Sequence, residues 1–106
     1  MRVLLDECVP VQIRHALPGR EVITVQQAGW SGIGNGELLA VANQAGFDLF
    51  IVADKNLRYQ QNLTDRRLSI LELWTNHRPT LEKHFARISA ASASSALGGY
   101  VVLDAG

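Results

Sequence analysis

Two short stretches of this chain hold no polar residue at all, and each is closed by an aspartate: Val3-Leu4-Leu5 before Asp6, and Leu49-Phe50-Ile51-Val52-Ala53 before Asp54. A strand with one wet face alternates apolar and polar residues. An unbroken apolar run needs cover on both faces, as strands of a parallel sheet have. Parallel neighbours in turn require crossover connections, usually helical. That single constraint points to an α/β chain with helices on both sides of its sheet.

The intervening segments supply those crossovers. Pro10 suits the first turn of a helix whose apolar face is Val11, Ile13, Ala16 and Leu17, and Pro18-Gly19 stops it. Glu21 to Val25, rich in β-branched residues, predicts a second strand. Gln26 to Gly34 predicts a turn and a glycine-broken loop. Asn35 is placed to cap a helix with Leu38, Leu39, Val41 and Ala42 on its apolar side and Gly46 at its end. Leu68 to Trp74 predicts a fourth strand, Pro79 opens one final helix through Leu81, Phe85 and Ile88, and Tyr100 to Leu103 predicts a fifth strand. The Ala/Ser/Gly-rich segment 89–99 either extends that helix or links it onward. The expected architecture is a three-layer α/β/α sandwich with a mainly parallel sheet of about five strands. At 106 residues it fits one domain, 1–106.

In open parallel sheets, sites form beyond the carboxyl ends of strands, where the strand order reverses. Asp6 and Asp54 close the first and third strands. If the second strand lies outside the first, these two are neighbours, about 4.8 Å apart at the backbone. Glu37, in the first turn of the helix leading into the third strand, starts on that same edge. Converging carboxylates repel one another unless they take up protons or a cation binds. An all-oxygen donor set favours Mg²⁺ or Mn²⁺ over Zn²⁺. Each acid also has a simpler role: Asp6 and Asp54 as caps or turn formers, Glu37 as a partner of the helix dipole. Glu7 points to solvent on this reading.

Composition narrows the partners. Ten Lys and Arg balance ten Asp and Glu, so the chain lacks the overall basic excess of many nucleic-acid binders and leaves room only for a local basic rim. Lys55, Arg58, Arg66 and Arg67 form such a cluster, suited either to phosphate contact or to a solvated loop. Tyr59 suits base stacking or burial; Trp30 reads as a core plug and Trp74 as core. His15, His77 and His84 show no metal spacing. The single cysteine, Cys8, excludes an internal disulfide and a thiolate zinc cluster, and its apolar surroundings predict a buried, inert thiol. The amino terminus has too short an apolar run for a signal peptide and no segment is apolar enough to span a membrane, so the expected location is cytoplasmic.

Leu4-Leu5-Asp6-Glu7, Asn35-Gly36-Glu37-Leu38-Leu39 and Val52-Ala53-Asp54-Lys55-Asn56-Leu57, in that order, resemble a compact branch of the PIN-like superfamily related to VapC-type toxin ribonucleases. The likeness spans about residues 1–75. It implies a hydrolase that cuts RNA with Mg²⁺ or Mn²⁺ held by Asp6, Glu37 and Asp54, with Glu7, Asn35 and Asn56 as secondary candidates. It also implies an antitoxin protein as partner and a homodimer. Two departures stand out: Asn56, with Asp65 further on, stands where relatives carry a fourth acid, and Asn35 where they often carry Asp. An inactive PIN-like binding module is therefore the alternative. A receiver-like phosphoacceptor, with Asp54 after the third strand and Thr75 after the fourth, fits less well, because no lysine follows the fifth strand and Glu37 would have no task.

Overall fold

β1 (Arg2–Leu5), β2 (Glu21–Thr24), β3 (Leu49–Val52), β4 (Ser69–Leu73) and β5 (Tyr100–Leu103) form one sheet in the order β2-β1-β3-β4-β5, and every pairing is parallel. The structure, a computed structural model, describes residues 1–53, 67–94 and 98–104. The apolar runs sit in the middle of the sheet, as their lack of polar residues requires. All four residues of β3 and all five of β4 are buried.

Alternate side chains divide between two cores. Val3, Leu5, Leu49, Ile51, Leu71 and Leu73 face one way and pack against Ile13, Ala16, Leu17, Leu81 and Ile88. Leu4, Phe50, Val52 and Ile70 face the other way and pack against Leu38, Leu39, Ala42 and Phe47. The first helical layer holds a 3-10 helix (Val11–Ala16), α2 (Arg78–Glu82) and α3 (Phe85–Ala93); the second holds α1 (Asn35–Gln44). This is the three-layer α/β/α arrangement, with a wholly parallel sheet.

Three elements depart from expectation. The segment after Pro10 winds as a 3-10 helix, with Val11 exposed and only Ile13, Ala16 and Leu17 carried inward. α1 is capped by Gly34, whose carbonyl accepts the Leu38 N–H at 2.8 Å, so Asn35 is the first helical residue and not the cap. The helix expected from Pro79 is two helices that break at Lys83 and His84, with the His84 ring set edge-on to Trp74 at 5.1 Å.

The amino edge of the sheet is closed by polar contacts. The Arg2 backbone N–H donates to Asp48 Oδ2 at 2.7 Å, while its guanidinium lies over Phe47 and reaches Glu21 at 3.4 Å. Asn43, near the end of α1, accepts the N–H groups of both Arg67 and Leu68 at 3.0 Å through Oδ1, fastening that helix to the start of β4. The opposite, carboxyl edge is where the loops diverge.

Phe50 is among the largest fully buried side chains and lies on a central strand. Phe50→Ala should cost about 3–5 kcal/mol, read from urea unfolding as a lowered midpoint with an unchanged slope.

Candidate functional site

β1 is the strand from which the chain departs in both directions, to β2 on one side and β3 on the other. Its carboxyl end is therefore the reversal point at which open α/β sheets form their crevices. Asp6 stands there. Its N–H continues the ladder to the Ile51 carbonyl at 3.0 Å, and Val25 continues the other flank by donating to the Leu5 carbonyl at 2.9 Å. The Asp6 backbone is thus held from both sides.

The half-buried Asp6 carboxylate turns back on its own loop. Oδ1 accepts the Glu7 N–H at 2.9 Å, and Oδ2 lies 3.4 Å from Cys8 Sγ, whose S–H donates to it. Cys8 is exposed, which corrects the expectation of a buried thiol: the turn after β1 lifts it out of the core and over the site. Partial desolvation pushes its pKa up, the Asp6 charge beside it adds to the rise, and a backbone hydrogen bond from Ala53 pulls the other way. The thiol therefore touches the ends of both β1 and β3.

Glu7 is exposed, as expected, and it also makes one contact across the edge. Its Oε1 accepts the Gly32 N–H at 3.2 Å and ties the loop between β2 and α1 to the exit of β1. Gly29 and Gly32 adopt positive φ in that loop, 79° and 84°, a conformation that costs an ordinary residue about 1–2 kcal/mol. Thr24 and Gln27 lock its start by exchanging hydrogen bonds of 2.9 and 3.1 Å. The loop delivers Glu37, exposed, into the first turn of α1 at the carboxyl edge, on the sheet face that carries α1. Trp30 is the plug expected of it, edge-on to Phe47 at 5.8 Å.

Asp6 and Glu37 thus reach one edge. Asp54 and Asn56 lie outside the described residues, as do Lys55, Arg58, Tyr59, Asp65 and Arg66. Arg67 is brought elsewhere: it precedes β4, at the amino edge beside Asn43, about five strand residues or roughly 17 Å from the carboxyl edge. His15 and His77 are exposed, whereas His84 is half-buried against Trp74. Among the described residues, no three His, Cys, Asp or Glu side chains are grouped to hold a metal ion.

A further acid lies within the sheet itself, where the apolar pattern of β4 hides it. Glu72 is 1% exposed, and its Oε1 accepts the Tyr100 hydroxyl at 2.7 Å. It pairs with Val52, and Asp6 is level with Val52 because Leu5 pairs with Ile51. Asp6 and Glu72 therefore share a row two strand spacings apart, about 10 Å at the backbone. The available signal was a carboxylate interrupting an otherwise apolar strand, which is costly to bury without a partner.

The class these features define is a five-stranded, all-parallel α/β protein with carboxylates at its reversal point. Comparison with protein-family models, curated proteins and solved structures returned no match.

A thiol with a raised pKa holds its proton to higher pH than the unfolded chain does. That contribution to stability is complete below the ordinary thiol pKa and is lost as pH climbs through the folded value. At pH 8, Cys8 should alkylate with iodoacetamide more slowly than free cysteine. Asp6→Asn should speed it, because the neighbouring negative charge is gone, and move the rate profile to lower pH. An unchanged profile would remove Asp6 as a cause of the shift.

Proposed function

We propose that this protein is a metal-dependent endoribonuclease of the PIN-like type, using Asp6, Glu37 and Asp54 to hold Mg²⁺ or Mn²⁺. The observation that carries the reading is the position of Asp6. It closes the strand at which the order reverses, and Glu37 opens the crossover helix on the same edge. Asp54 follows Ala53 directly in the sequence, after the strand that neighbours β1.

The donor chemistry fits a hard cation: carboxylate oxygens, with the only nearby sulfur protonated and donating to Asp6 instead of competing for the ion. A bound Mg²⁺ or Mn²⁺ would supply charge neutralisation at a scissile phosphate and lower the pKa of an attacking water. The chain's own contribution is orientation. The Glu7 N–H and the Cys8 thiol fix the Asp6 carboxylate, and the Glu7–Gly32 bridge sets the approach to Glu37. No side chain is needed as a nucleophile. Restraint by an antitoxin protein, a homodimeric state and a cytoplasmic location belong to the same proposal. No described helix is long and apolar enough to cross a membrane.

The alternative is an inactive module of the same build, favoured by Asn56 standing where a fourth acid is expected and by the zero net charge. Calorimetric Mn²⁺ titration with a parallel RNA-cleavage assay separates the two. In the active enzyme, Asp6→Asn and Asp54→Asn each weaken Mn²⁺ binding by at least about tenfold, because ligand charge sets affinity for hard cations, and both abolish cleavage. Cleavage that survives both substitutions sinks the mechanism; metal binding without cleavage in the wild type leaves the inactive module.

A further inference from the structure

Trp74 leaves β4 at the carboxyl edge, the same edge as Asp6, and is half-buried there instead of being sealed in the core. Its indole is part of a built aromatic and cationic group. The His84 ring stands edge-on at 5.1 Å and 84°, and the Arg87 guanidinium carbon lies 5.4 Å from the ring centroid. Arg87 is held in place by the Asp104 carbonyl, to which it donates at 2.8 Å, and by the Asp104 carboxylate at 3.9 Å.

The chain running on from Trp74 concentrates positive charge that the zero overall balance conceals. Residues 77–87 carry Arg78, Lys83 and Arg87 with two imidazoles, His77 and His84, against Glu82 within the segment and Asp104 beside Arg87. Glu82 takes one Arg78 N–H at 2.6 Å. A guanidinium has five donors, so one carboxylate does not exhaust it. Lys83 and His77 are exposed.

We propose that Trp74, with His84, Arg87 and the exposed cations of α2 and its turn, is a stacking and phosphate-contact platform for single-stranded RNA crossing the carboxyl edge. Aromatic rings stack any base, and adjoining cations track the backbone; together they give binding that tolerates sequence. Trp74 stands two residues beyond Glu72, and Glu72 is level with Asp6 across two strand spacings. In the plane of the sheet the platform is therefore displaced from Asp6 by about 10 Å across and about 7 Å along; Trp74 packs on the face of α2 and α3 while Glu37 opens α1 on the other face, so the RNA crosses the strand ends from one layer to the other. The choice of RNA as ligand rests on the ribonuclease reading; the platform itself does not need the metal.

The test uses the full chain in EDTA with a fluorescently labelled short oligoadenylate RNA. In a Trp30→Phe background the sole tryptophan emission comes from Trp74, and stacking should quench it along the same isotherm as the anisotropy. Trp74→Ala should weaken binding about tenfold, and Trp74→Phe should restore most of it. Lys83→Ala should lower the slope of log affinity against log salt by about 0.7. Emission from Trp74 that stays constant while RNA saturates overturns the proposal, even if Trp74→Ala fails to fold. So does the absence of RNA binding. Cleavage of the same RNA in Mn²⁺ is scored separately. Quenching without cleavage keeps the platform and removes the nuclease; cleavage without quenching does the reverse.

Discussion

Leu5 pairs with Thr24 on one side and Ile51 on the other, and from this double pairing of β1 the layout of the molecule follows. A parallel strand flanked on both sides, in a sheet covered on both faces, has no route to water except through its ends. Its three buried side chains are apolar, and the next polar residue falls beyond the last rung. That residue is Asp6. The need to bury Val3, Leu4 and Leu5 and the appearance of a carboxylate at the reversal point are two results of one constraint.

The two ends of the sheet are used differently. At the amino end, Arg2, Asp48 and Asn43 satisfy backbone groups and one another, and the contacts join strand to helix. At the carboxyl end, carboxylates and a thiol stand at β1, and a half-buried indole with neighbouring cations follows β4. Charge that cancels over the whole chain is separated along that edge, with acids at β1 and α1 and cations following β4. On the proposed ribonuclease reading, a polyanion would lay its backbone on the cations while one of its phosphates approaches a cation held by the acids.

Much of this was legible in the sequence because the central strands are unbroken apolar runs and their closing acids are unambiguous. The parallel sheet, the strand boundaries to within a residue or two, and the common edge of Asp6 and Glu37 follow from hydrophobic pattern alone. What was not legible depended on tertiary placement. Arg67 looks like a neighbour of Lys55 and Arg58 in the chain, yet a strand parallel to β3 must begin at the far edge, and Arg67 goes with it. Cys8 follows an apolar run, but the tight turn that lets Val9 donate to the Asp6 carbonyl at 3.1 Å turns the thiol outward. Nothing in Lys83-His84 announces a helix break; the packing of His84 on Trp74 accompanies it. Glu72 was hidden by its own strand, since its partner Tyr100 lies 28 residues away.

The link from Glu7 to Gly32 joins two parts of the chain that the sequence keeps far apart. Glu7 adjoins Asp6, and Gly32 lies in the approach to Glu37, so a hydrogen bond that belongs to neither acid links the two segments that carry them. Loosening that bond would let the approach loop drift while leaving every strand in place. A change at residue 7 would therefore be felt at Gly32, in the approach to α1, twenty-five residues along the chain from where it was made.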